Sequence, residues 1–147
     1  MDSLNRRIFE SYSGFDTLPV RVGVGAIFAA HGAQKLFGWF GGYGLEGTAG
    51  WMASIGLEPG YLLALAAGGA EFFGGLLLIL GLFVRPAALV LAFTMLVAIF
   101  AVHFENGLFI ANNGYEYALA LLLVSLALVV RGAGRYSADA IIARRLA

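Results

Sequence analysis

The 147-residue chain contains no cysteine. That absence removes disulfides, CxxC redox centres, cysteine-ligated iron–sulfur clusters, thiolate zinc sites and covalent haem attachment. Any redox role must therefore rest on a bound cofactor or on a partner's. Charge is scarce as well: 12% of residues are charged and 61% are hydrophobic, and the mean hydropathy is +0.86. This is roughly half the charge of an ordinary soluble domain, too little to cover a folded surface in water. Prolines number three, and the 21 glycines follow no G-X-Y period, which excludes a collagen-like or disordered chain. Nine basic residues balance nine acidic ones. The basic side chains are scattered over the chain ends and short connections, which leaves no nucleic-acid surface.

What remains is apolar sequence in four runs: Leu18 to Phe40, Tyr61 to Phe83, Pro86 to Phe104 and Tyr115 to Val130. A helix needs about 20 residues to cross the hydrocarbon core. The fourth run reaches that length only if its helix begins a turn earlier, near Ile110 to Asn113. The first run follows an acidic stretch with Asp2, Glu10 and Asp16 and precedes no A-x-A cleavage pattern, so it reads as a mature helix rather than a signal peptide. Arg6 and Arg7 precede the first run, Arg85 lies between the second and third, and Arg131, Arg135, Arg144 and Arg145 follow the fourth. The intervening segments 41–60 and 105–114 have neither lysine nor arginine. By the positive-inside rule both termini face the cytoplasm.

The expected fold is an all-α polytopic membrane protein, an antiparallel bundle of four transmembrane helices with N and C termini inside. A cytoplasmic segment 1–17 precedes the transmembrane domain 18–130, with its outer loop at 41–60, and a cytoplasmic tail 131–147 follows. Small residues supply the packing faces: Ala64, Gly68, Glu71 and Gly75 fall at a/d spacing, with Ala66, Ala70 and Gly74 as a neighbouring ridge. Gly25, Ala29 and Ala33 repeat the device on the first helix. A short connection at Val84–Arg85 makes the second and third helices a hairpin. In the outer loop, Thr48 to Ile55 reads as a short interfacial helix, with Trp39 and Trp51 at headgroup level. Gly42 to Gly47 matches GxGxxG, but that signature needs a βαβ unit, which the pattern does not offer.

Ionisable residues at membrane depth are costly and mark function by default. Arg21, His31, Lys35, Glu71, His103 and Glu116 stand out, with Gln34 beside them. All but Arg21 map to the outer half, and they come from all four helices. His31, Gln34 and Lys35 are three and four residues apart, so they share one helix face. The functional reading is a polar pocket open to the outer surface; the structural alternative is an interhelical network that fixes helix order. Glu71, near the midplane and facing a lysine and an imidazole, is the candidate to hold and release a proton. Arg21, one turn from the inner interface, is expected to snorkel to lipid phosphate. A bis-histidine haem is disfavoured, because His103 sits roughly one turn nearer the outer surface than His31. No HxxxH-type spacing points to a metal site.

Five blocks carry a resemblance: His31-Gly-Ala-Gln-Lys-Leu-Phe-Gly38, Ala70-Glu-Phe-Phe-Gly-Gly75, Gly81-Leu-Phe-Val-Arg85, His103-Phe-Glu-Asn-Gly107 and Gly114-Tyr-Glu-Tyr-Ala118. In this order, over about Val20 to Asp139, they resemble the DoxX family of small bacterial membrane proteins. The resemblance implies a four-helix bundle in the bacterial inner membrane and a quinone-linked or partner-dependent redox role. It carries over no established catalytic residues. On that reading a quinone head would lie among His31, Gln34, Lys35, Glu71, His103, Glu116, Tyr115 and Tyr117. His31 and Lys35 would be oxygen ligands, and Glu71 the proton donor or acceptor. A membrane redox protein would be the partner, and a homo-oligomer is an open alternative. The competing readings are a non-catalytic assembly subunit and a small-solute or proton pathway. The pathway is disfavoured by the lack of internal repeats and broken helices.

Overall fold

The computed structural model describes residues 17–146, and the expectations for Arg6, Arg7 and the rest of 1–16 lie outside them. Pro19 sits in the first turn of α1 (Leu18–Phe37), where its missing N–H costs nothing. Gly38, at φ 71°, ends that helix three residues short of the apolar run. A 3-10 turn, Trp39–Gly41, leads into α2 (Gly44–Ser54). α3 (Gly60–Leu80) follows, then α4 (Val84–Ala98), prolonged by a π turn at Ile99–His103 and a 3-10 turn at Phe104–Asn106. α5 is Glu116–Arg131 and α6 is Ala138–Leu146. The described residues contain no strand, so the GxGxxG match has no dinucleotide-binding context.

Two helices, Gly60–Leu80 and Val84–Asn106, are long and apolar enough to cross a membrane. α1 has the length, but it carries Arg21, His31, Gln34 and Lys35. α5 has 16 residues, about 24 Å at the usual rise. It does not start a turn earlier as the apolar run suggested. Asn113, at φ 57°, breaks the chain after a separate 3-10 turn at Ile110–Asn112, and the Glu116 carboxylate accepts the Ile110 N–H at 2.6 Å. The connection expected at Val84–Arg85 instead lies at Gly81–Phe83, and Val84 and Arg85 form the first turn of α4.

α1 and α3 form the most extensive helix pair. A Cβ on Gly32 would stand 2.3 Å from the Phe72 nitrogen, and one on Gly75 would stand 2.5 Å from the Ala29 nitrogen. Only glycine lets these backbones touch, the same device that brings membrane helices together. The buried stripe Ala64, Gly68, Glu71 and Gly75 follows the spacing read from the sequence, whereas Ala66 is exposed. α4 packs on α3 and α5 around Leu78, Val84, Ala88, Leu91 and Leu128, while α2 lies along the first half of α3 through Met52 and Ala64.

At the end of the bundle opposite α2, Arg21 is not a snorkelling side chain. It is 1% exposed and donates to the carbonyls of Leu78, Ile79, Ala133 and Tyr136. Those carbonyls end helix α3 and line the segment after α5, where last-turn oxygens lack intrahelical partners and carry the negative end of the helix dipole. Asp139 on α6 is equally buried and accepts the N–H groups of Phe83 and Val84 at 2.7 and 3.0 Å, capping α4. Burial pushes the Asp139 carboxyl up; the N–H groups of Val84 and Phe83, and then Arg21 and Arg85, hold it down. Arg85 in turn donates to Val129 and Val130 at the end of α5.

Candidate functional site

Two residues from the predicted cluster meet directly. Lys35 Nζ on α1 donates to Glu71 Oε2 on α3 at 2.6 Å, with side chains 25% and 5% exposed. The pair sits where the glycine contacts bring the helices closest, because Gly32 lies one turn before Lys35 and packs on Phe72, next to Glu71. Thr48 of α2 reaches the Lys35 carbonyl at 3.5 Å, tying the loop helix to the end of α1. Phe37 and Phe72 meet edge to face with ring centres 5.2 Å apart, and Phe72 meets Phe73 in the same manner. An aromatic flank thus lies beside the ion pair.

His31 lies one turn along α1 from Lys35. Its Nδ1 is 3.0 Å from the Ile27 carbonyl. A carbonyl oxygen only accepts, so Nδ1 carries the proton, and in the neutral ring Nε2 is left with a lone pair. The ring faces Tyr117 of α5 with centres 6.0 Å apart. α1 and α5 touch only sparsely, so His31 and Tyr117 stand at a lightly packed seam.

The other predicted site residues are held elsewhere. Gln34 donates to the Phe40 carbonyl at 3.3 Å and lies under Gly42, ordering the turn after α1. His103 Nδ1 is 2.9 Å from the Asn113 carbonyl, and Glu116 is engaged with Ile110. Tyr115 stacks on Phe104 at 5.9 Å. These four side chains organise loops at the α2 end of the bundle. Among the described residues no group of three or more His, Asp or Glu is placed to hold a metal ion.

Two features were missed in the sequence. The burial of Arg21 and Asp139 at the same end of the bundle joins distant segments, and no periodicity announces it. A groove of about 460 Å³ runs between α2 and the end of α4, lined by Trp51, Ile55, Phe100, Phe104, Glu105 and Asn113. Its only foreshadowing is the coincidence of a tryptophan in the loop helix with a Phe-rich helix end.

A helical membrane-type chain with a buried glutamate paired to a part-buried lysine defines the class. The DoxX family model matches residues 17–104, and the chain belongs to that family. The match ends before the Gly114–Ala118 block. A protein of Bacillus subtilis described as "Putative oxidoreductase CatD" is 36% identical over 112 residues, 76% of this chain and 77% of the relative. An uncharacterised protein of Haemophilus influenzae is 35% identical over 137 residues, 88% of this chain and 92% of the relative. No solved structure matches.

Proposed function

We propose that this chain is a four-span subunit of a redox complex in the bacterial cytoplasmic membrane, with both termini inside, and that it receives a quinone or quinol head at the α1–α3–α5 seam. The observation that carries the reading is the Lys35–Glu71 pair at 2.6 Å, sunk in an apolar helix interface. Charges at such depth are costly unless used. Apolar side chains exposed on every long helix, among them Val20, Phe73, Phe93, Leu123 and Val130, favour four spans. Family membership and the oxidoreductase name of the Bacillus relative support the redox context.

The residues fit a quinone head in chemistry. A lone pair on His31 Nε2 would accept the hydroxyl proton of a quinol, and Tyr117 would offer a hydroxyl to the other oxygen. Glu71, already holding Lys35, would take or return the proton, while Phe72 and Phe37 would wall the ring. A bound quinone supplies two-electron chemistry, and the electrons would pass to or from a partner's cofactor. Tyr115, His103, Gln34 and Glu116, engaged with loop atoms, shape the entrance rather than touch the head. The hydrogen bonds of Gln34, His103 and Glu116 to the loops, and the stacking of Tyr115 on Phe104, also favour a second reading, an assembly subunit in which the polar groups only fix the helices.

Quinone binding separates the two. Quenching of Trp39 and Trp51 emission by a short-chain quinone in maltoside micelles is expected for the native chain. The combined Lys35→Met and Glu71→Gln variant should fold with native helicity and lose saturable quenching. Native-like binding by that variant would overturn the quinone reading and leave the assembly subunit.

A further inference from the structure

The groove between α2 and the end of α4 is lined by none of the residues proposed to touch the quinone head. We propose that it binds an organic ammonium cation: an alkylammonium group whose charge rests on the aromatic walls and the Glu105 carboxylate. Three independent features point the same way. The walls are Trp51, Phe100 and Phe104, and aromatic faces attract cations, with indole the best of them. The one charged side chain in the lining is Glu105. The groove also follows the last two turns of α4, from the π turn at Ile99–His103 to Asn106, where the helix dipole presents its negative end. No lysine or arginine lies in segments 41–60 or 105–114, whereas Glu46, Glu58 and Glu105 do, so among the described residues the groove lining holds no cation of its own.

The chemistry also excludes the simpler cation. A metal ion would find one carboxylate here and no group of three ligating side chains. At about 460 Å³ the groove is far larger than an ion and falls in the range of small-molecule clefts. π turns within long helices occur frequently at functional sites. Phe100 and Phe104 are exposed on the helix flank, so an alkyl chain on the ligand would continue along apolar surface. The ammonium could belong to a free amine or to the headgroup of a phospholipid.

The test uses the full chain in dodecyl maltoside with Trp39→Phe, so that Trp51 alone reports. Choline should shift Trp51 emission saturably, and its neutral isostere 3,3-dimethyl-1-butanol should not. Glu105→Gln should weaken choline by about tenfold, the scale of one charge contact with aromatic support. Glu46→Gln, an acid at the same end but outside the groove, should leave it unchanged. Phe104→Leu should weaken choline in the same direction as Glu105→Gln. Equal responses to choline and the isostere, no response to choline, or equal losses in the Glu46 and Glu105 variants would each overturn the proposal. Competition by an ethanolamine-headed phospholipid, but not by phosphatidylglycerol, assigns the ligand to the bilayer. Choline binding with no competition from either lipid assigns it to a soluble amine, and equal competition by both overturns the ammonium requirement.

Discussion

Single side chains at the two ends of this molecule do different kinds of work. Asp139 satisfies two N–H groups at the start of α4 while its charge acts on a fully buried arginine. Asp139→Ala would leave those donors unpaired and remove a negative charge that acts on Arg21, a loss of about 3 kcal/mol. Asp139→Asn keeps one acceptor and should lose less; thermal melts followed by circular dichroism would rank the two. At the other end, Glu71→Gln leaves Lys35 facing a neutral amide. The expected cost is about 2–3 kcal/mol, less than for a fully buried pair because Lys35 keeps some contact with the surroundings. Adding Lys35→Met should restore the melting temperature without restoring quinone quenching. A melt of Glu71→Gln indistinguishable from the native chain would mean that the pair carries no net stabilisation.

Among elements, the α1–α3 contact depends most on residue size. Gly32 presses on the backbone of Phe72, which cannot swing aside as a side chain could. Gly32→Ala must push the helices apart, an overpacking cost of about 1–3 kcal/mol. It should also lengthen the Lys35–Glu71 contact one turn away. Gly69, on the same helix pair, meets nothing within 4 Å, so Gly69→Ala should be neutral or slightly stabilising through helix propensity. Comparing the two variants by denaturation in one detergent checks the assignment, and equal effects would contradict it.

At the scale of the whole molecule the open property is orientation, and the lack of native cysteine makes it directly measurable. Gly50 of α2 has open space around its Cα, so Gly50→Cys should be well tolerated. In intact cells it should react with an impermeant maleimide, whereas Ala138→Cys should react only after the membrane is breached. The opposite pattern would invert the topology and place the ammonium groove on the cytoplasmic side.

Composition and periodicity by themselves determined the helical class, the apolar runs and the buried stripe Ala64–Gly68–Glu71–Gly75, while the family was legible only through the resemblance of its motif blocks. Each of these follows from local chemistry or from motif order along the chain. The pairing of Lys35 with Glu71 was within reach for the same reason, since a buried carboxylate needs a cation and few were at its depth. Tertiary structure alone decided the rest. His103, Glu116 and Gln34 look like pocket residues in the sequence, yet main-chain groups in the loops capture them, because turn geometry at Asn113 and Gly42 offers nearer partners than the bundle interior does. Arg21 looks like a lipid anchor, yet the return of the segment before α6 brings the carbonyls of Ala133 and Tyr136 to it. A polar side chain goes to whichever partners the folded chain delivers, 6 to 10 residues away for Gln34, Glu116 and His103 and 57 to 115 residues away for Arg21.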